Sequence, residues 1–136
     1  MKQDNCIFCK IIAGEIPSHT IYEDEQFKVI LDVNPATRGH ALILPKNHYA
    51  NFYEQPEEDS VDTIRLAKKM IQRMTDKLKC DGFNIVQNNG SVAGQTVLHY
   101  HMHLIPRYHN DGEILKYVAG SPSQEELAQI KRTITE

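Results

Sequence analysis

Leu98-His99-Tyr100-His101-Met102-His103-Leu104-Ile105 alternates imidazole with apolar side chains along its whole length. A period of two is the signature of a β-strand, because successive side chains leave opposite faces of the backbone. His99, His101 and His103 then project from one face at intervals of about 6.6 Å, twice the rise per residue. Tyr100, Met102 and Leu104 line the other face and belong to a core. Three imidazoles in a row do not suit a core, since every buried ring nitrogen needs a partner. The histidine face must meet water, a metal or an anion. The strand is expected to run from Val97 to Ile105 and to stop at Pro106.

Upstream of this strand lies a polar loop, Asn88 to Thr96, preceded by a strand, Phe83 to Gln87, and an Asp81-Gly82 turn. Before the turn, Val61, Ile64, Ala67, Met70, Ile71, Met74 and Leu78 recur at spacings of three and four. They predict one long helix over Glu57–Lys79 with a single apolar stripe. Glu57, Glu58 and Asp59 at its start and Lys77 and Lys79 at its end complement the helix dipole.

Further towards the N-terminus, His40 to Leu44 reads as a strand ended by Pro45. His19 to Glu23 and Phe27 to Val33 read as two more, joined by Asp24-Glu25-Gln26. Asn34 to Gly39 is a loop. Cys6 to Gly14 reads as a short helix stopped by Gly14 and Pro17. Beyond Pro106, Ser123 and Glu126 form a capping-box pattern for a C-terminal helix ending near Ile134. The class is α+β: an antiparallel sheet, one long helix and short terminal helices. Short strands leave sheet edges open in a monomer, and pairing across a homodimer is one way to cover them.

The chain has 136 residues, enough for one domain over 1–136 and for burial of about 68–70% of the unfolded surface. A net charge of -3 and the lack of a long basic run argue against a nucleic-acid partner. No stretch approaches the length of a membrane span, so no membrane partner is expected. Three cysteines, Cys6, Cys9 and Cys80, with no signal-peptide pattern, point to a reducing, cytoplasmic setting rather than a disulfide framework. Cys80 reads as a helix-end thiol, and His19 and His109 as surface residues.

Two chemistries suit the histidine row. It could ligate a transition metal, or it could act as nucleophile and acid–base group on a phosphate. The preceding loop favours the second. Asn88-Asn89-Gly90 and Gly94-Gln95-Thr96 offer backbone N–H groups, amides and a hydroxyl, which together hold a phosphate without a charged side chain.

The segment Gly94 to Ile105, with its His, apolar, His, apolar, His, apolar, apolar order, closely resembles the signature of the histidine triad (HIT) family. Ile7-Phe8-Cys9-Lys10-Ile11-Ile12 with Glu15-Ile16-Pro17 is similar to the family's N-terminal helix. Leu31-Asp32-Val33-Asn34-Pro35 and Gly39 to His48 are similar to its central strands. The resemblance covers about residues 6–106, leaving 107–136 as a C-terminal extension with its helix. It is nearest to the Hint-type branch of nucleoside phosphoramidases and to bacterial Hit-like proteins. It implies a HIT-like fold and a hydrolase acting through a nucleotidyl-histidine on purine nucleoside phosphoramidates or related conjugates. Dinucleoside polyphosphate hydrolysis and a regulatory nucleotide-binding role are the alternatives.

Carried over position by position, the resemblance implies His101 as nucleophile. His99 and His103 flank it as phosphate contacts and proton donors, with His40 in support. Asp32 is implied to hold the ribose hydroxyls, Asn88, Gly94, Gln95 and Thr96 the phosphate and leaving group, and Ile7, Phe8, Ile11 and Ile30 the base.

Cys6-x-x-Cys9 is one half of a zinc pattern, weak by itself. Some family members, and the related galactose phosphate uridylyltransferases, resemble the arrangement in which His48 and His99 supply the other half. Four such ligands close a tetrahedral structural zinc site with no open position. His99 would then bind metal through one ring nitrogen and donate a hydrogen bond through the other.

Overall fold

The computed structural model describes residues 2–113 and 116–136. In chain order it contains α1 (Ile7–Ile12), β1 (Thr20–Glu23), β2 (Phe27–Leu31), β3 (Ala41–Pro45), α2 (Glu57–Leu78), β4 (Gly82–Val86), β5 (Met102–Arg107) and α3 (Gln124–Thr135). The strands form one five-stranded antiparallel sheet in the order β1-β2-β3-β5-β4. This is the α+β arrangement expected from the alternating and helical patterns.

Alternation along the central strands divides the core in two. Phe27, Val29, Ala41, Ile43, Met102 and Leu104 face α2 and pack on Leu66, Ala67, Met70 and Met74. Ile30, Leu42 and Leu44 face the other way and pack on Cys6, Phe8, Cys9 and Ile11 of the α1 segment. Because β2 and β3 are covered on both faces, they read as nearly continuous apolar runs, and each fully buried aliphatic side chain stabilises by about 1.5–3 kcal/mol.

The stripe of α2 is rotated from the one the spacing predicts. Thr63 and Leu66 turn inward, whereas Val61 and Ile64 are exposed. Thr63 tolerates burial because its hydroxyl donates to the Asp59 carbonyl at 2.7 Å and accepts from Gln55 Nε2 at 3.2 Å. The helix ends one residue early, at Leu78, with Lys79 in the left-handed conformation at φ 56°.

The histidine strand is also displaced. Its ladder spans Met102–Arg107 rather than Val97–Ile105, so His99 and His101 precede it. The register pairs Ile43 with Met102, and continuing it would bring Tyr100 opposite Pro45, which has no N–H to offer. Tyr100 instead donates its N–H to the Tyr49 carbonyl at 2.6 Å. Pro106 does not stop the strand. It pairs with Phe83, and its carbonyl accepts from Thr37 Oγ1 at 2.5 Å, on the side away from β4. Its missing N–H falls where no ladder is required. The predicted alternation nevertheless survives: Tyr100, Met102 and Leu104 all enter the α2-side core.

The C-terminal helix begins at the expected cap, where Ser123 Oγ accepts from the Glu126 N–H at 3.1 Å. Leu127, Ile130 and Ile134 on it are exposed. Residues 114 and 115 of the C-terminal extension lie outside the described residues. Among those described, no helix is long and apolar enough to cross a membrane.

Candidate active site

Asp32, His40, His101 and His103 come together on the α1 side of the sheet. Asp32 directly follows β2 and His40 directly precedes β3, with the Asp32 N–H donating to the His40 carbonyl at 2.9 Å. Leu42, two residues on from His40, is paired with His103. The turn into His40 needs Gly39, whose φ is +89° and whose added Cβ would stand 2.6 Å from Leu78 Cδ1.

Hydrogen bonds fix the tautomers of these rings. His40 Nδ1 accepts from the Ala36 N–H at 2.9 Å, so the ring proton of neutral His40 is on Nε2. That Nε2 donates to His103 Nδ1 at 2.9 Å, which leaves the His103 proton on its own Nε2. Asp32 Oδ2 lies 3.6 Å from His40 Nε2. His101 Nδ1 is 2.7 Å from the His99 carbonyl, an acceptor only, so Nδ1 carries the proton. Neutral His101 therefore holds a bare lone pair on Nε2, next to a neighbour that offers a donor.

Burial works in the same direction. It pushes His101 and His40 below the ordinary imidazole value of 6.5, and pushes His103 down to about 4. His101 and His103 stand 5.0 Å apart between ring centroids. Burial thus favours the neutral form of all three rings.

His99 takes a different place. Its side chain is fully buried, and Nε2 donates to the Pro45 carbonyl at 2.9 Å. The bare Nδ1 is 3.4 Å from Cys6 Sγ, 3.6 Å from Cys9 Sγ and 3.1 Å from His48 Nδ1. The four ligand atoms all lie within 4.8 Å of one another. Both sulfurs accept backbone N–H groups, Cys6 from Cys9 at 3.3 Å and Cys9 from Gln3 at 3.4 Å. The donor set and the unprotonated Nδ1 fit a tetrahedral zinc-type ion. With Nε2 on the Pro45 carbonyl and Nδ1 turned towards the two sulfurs and His48, the His99 side chain does not line the cavity beside His101 and His103.

A cavity of about 260 Å³ is lined by His101, His103, Asp32, Thr96, Ile7, Phe8, Ile11 and Ile30. Pro17, Ser18, Leu31, Val33, Asn34, Leu42 and Val97 complete its wall, with no site role expected of them from the sequence. The period-two spacing of Leu42 from His40 is the sequence signal that could have found one of them, and the structure pairs Leu42 with His103. A larger hollow of about 450 Å³, between α2 and Phe52, Tyr100 and Met102, is lined by Glu57 and Arg65 but by no histidine or cysteine among the described residues.

Gln95 is also placed differently from a phosphate ligand. It is buried, its Oε1 accepts from the Gly90 N–H at 2.8 Å, and its Nε2 donates to the Ala50 and Val97 carbonyls at 2.6 and 3.0 Å. Its amide braces the loop. Gly94, at φ +99°, lies against Asn88, whose Nδ2 would be 3.4 Å from an added Cβ. The loop thus puts Asn88 and Gly94 side by side and turns Thr96 into the cavity wall.

Comparison with known proteins follows the same lines. The HIT domain matches residues 13–110. An uncharacterized HIT-like protein of Methanocaldococcus jannaschii is 49% identical over 128 residues, covering 93% of this chain and 98% of that one. Adenosine 5'-monophosphoramidase of Saccharomyces cerevisiae is 42% identical over 120 residues, 88% of this chain and 72% of the yeast protein. The crystal structure of a zinc-bound histidine triad family protein from Mycobacterium smegmatis superimposes with a TM-score of 0.78 at 36% identity, covering 95% of this chain and 97% of that one.

Proposed function

Because this chain belongs to the HIT domain family, we propose that it is a nucleotidyl hydrolase that cleaves purine nucleoside phosphoramidates or related nucleotide conjugates through a nucleotidyl-His101 intermediate. The observation that carries this reading is the tautomer pair: an unprotonated His101 Nε2 beside a protonated His103 Nε2, at the wall of a cavity with an apolar end and a carboxylate.

The apolar end, Ile7, Phe8, Ile11 and Ile30, suits a purine base. Asp32 accepts the Asn34 N–H through Oδ1 at 2.8 Å and keeps acceptor capacity for a ribose diol. Asn88, Gly94 and Thr96 supply donors for the phosphate and leaving group, and Gln95 holds their loop in shape.

In the first displacement, His101 Nε2 attacks the α-phosphorus. The N–P bond forms as the bond from phosphorus to the amine breaks. The departing nitrogen keeps that electron pair and leaves as the neutral amine, having entered with the extra proton on the bridging nitrogen, while the His103 Nε2–H donates to a phosphate oxygen. Water then attacks the nucleotidyl-His101, gives its proton to the freed amine, and releases the nucleotide, the ammonium product and neutral His101. One hard step becomes two easier ones. His40 holds the His103 ring and its tautomer through the 2.9 Å bond.

Cys6, Cys9, His48 and His99 are the residues that would hold a zinc ion, which would supply structural closure and no open coordination position. The zinc-bound Mycobacterium smegmatis relative supports this. Metal analysis of purified chain checks it, and less than half an equivalent of zinc counts against it. The exposed β4 edge with Ile85, together with Val61, Ile64 and Phe52, supports a homodimer. Its mass in solution tests that.

The function is tested with an adenosine phosphoramidate and a dinucleoside polyphosphate side by side. The phosphoramidate is expected to turn over faster, and His101→Ala to abolish turnover while AMP still binds. Normal turnover by His101→Ala would remove the proposed nucleophile.

A further inference from the structure

The group of two cysteines and two histidines is joined to the proposed nucleophile by two short, buried links. The first is His99 itself. Its Nδ1 faces Cys6, Cys9 and His48, while its main-chain carbonyl accepts from His101 Nδ1 at 2.7 Å. The second is Phe8, which α1 carries between Cys6 and Cys9. Its ring meets the His99 ring edge-on at 5.9 Å and the His101 ring at 5.0 Å, and it also lines the cavity. His99, His101 and Phe8 are 0%, 6% and 8% exposed, so a shift of one displaces the others.

The six residues of α1 are too few to be stable as an isolated helix, so its placement depends on its anchors. One is its apolar packing on Ile30, Leu42 and Leu44, and a second is Lys28 Nζ, which donates to the Ile11 carbonyl at 3.4 Å. The third is the pair of cysteine sulfurs, which converge on His48 and His99.

We propose that a soft divalent ion in the Cys6/Cys9/His48/His99 group and a nucleotide in the cavity bind cooperatively, with Phe8 and the His99 main chain as the coupling. The ion draws α1 onto the triad. Phe8 then sets both the wall that meets the base and the ring against which His101 rests. Phe8 is in this respect a positioning residue. The inference rests on the nucleotide reading above, but it asks more than structural closure from the metal group. Linkage makes it reciprocal: the nucleotide must tighten the ion by the same factor as the ion tightens the nucleotide.

The test uses the full chain stripped of metal and measures binding rather than turnover. Zinc affinity is read by competition with a chromogenic chelator, with and without saturating AMP. AMP affinity is read by calorimetry, with and without zinc. A common factor of about tenfold in both directions is expected, within the range usual for coupled sites. In Phe8→Leu, zinc alone is expected to bind as tightly as in the parent, while the factor falls below about twofold. Phe8→Met, a second apolar replacement, guards against misfolding of the first.

AMP that binds the zinc-loaded and stripped chains equally well overturns the coupling and leaves the nucleotide reading standing. A tenfold factor that persists in both Phe8 variants overturns the route through Phe8. Absence of zinc binding overturns the coupling outright. If AMP binds neither form, the nucleotide reading fails and the coupling falls with it.

Discussion

Replacing Gln95 with alanine separates a loop brace from a phosphate ligand. The buried amide makes three hydrogen bonds, to the Gly90 N–H and to the carbonyls of Ala50 and Val97. At a net value of about 1 kcal/mol each, Gln95→Ala costs about 3 kcal/mol. For a domain of this size that lowers the melting temperature by about 10 °C. Gln95→Glu should be worse near neutral pH. It sets a carboxylate oxygen against the Ala50 and Val97 carbonyls, with no donor to offer either. Acidification should recover part of that loss, because the neutral acid regains one donor. Thermal unfolding of both variants, followed by calorimetric titration with AMP, gives the two readouts. If Gln95→Ala melts within about 2 °C of the parent and loses only nucleotide affinity, Gln95 is a ligand and the bracing argument is wrong.

Two further outcomes follow from the histidines. His40→Ala removes the donor that fixes the His103 tautomer and leaves the Ala36 N–H without its acceptor. Turnover is expected to fall about 10²-fold or more with little change in AMP affinity, and steady-state kinetics beside calorimetry show the split. For pH, His101 must be neutral to attack, and its value lies below 6.5, so the acid limb of kcat/KM should fall below pH 6.5. His103 sits lower still, at about 4, and the folded chain binds fewer protons than the unfolded one between about 4 and 6.5. Its share of stability is complete above 6.5 and is lost as pH falls through that window. An acid limb centred above 6.5 would contradict the burial argument.

Which residues share a face was legible in the sequence, because period two needs no tertiary information: Tyr100, Met102 and Leu104 entered the core and the imidazoles faced away, even though the ladder begins only at Met102. Local chemistry likewise gave the long helix and the Ser123 cap. The C-x-x-C spacing brought Cys6 and Cys9 together, while pairing them with His48 and His99 took the family resemblance. The rotation of α2, which buries Thr63 and exposes Val61, was not legible. It depends on partners, Asp59 and Gln55, whose hydrogen bonds make a hydroxyl acceptable inside.

Nor could the sequence say which nitrogen of each imidazole is free. That was decided by the Pro45 carbonyl at His99, the His99 carbonyl at His101, and the Ala36 N–H at His40. Side-chain alternation is a property of one strand, whereas a tautomer is set by whichever donor or acceptor the fold brings to the ring, here in one case from 54 residues away. The same contacts removed His99 from the cavity and gave it to the cysteines, a division of labour that three equally spaced histidines do not reveal.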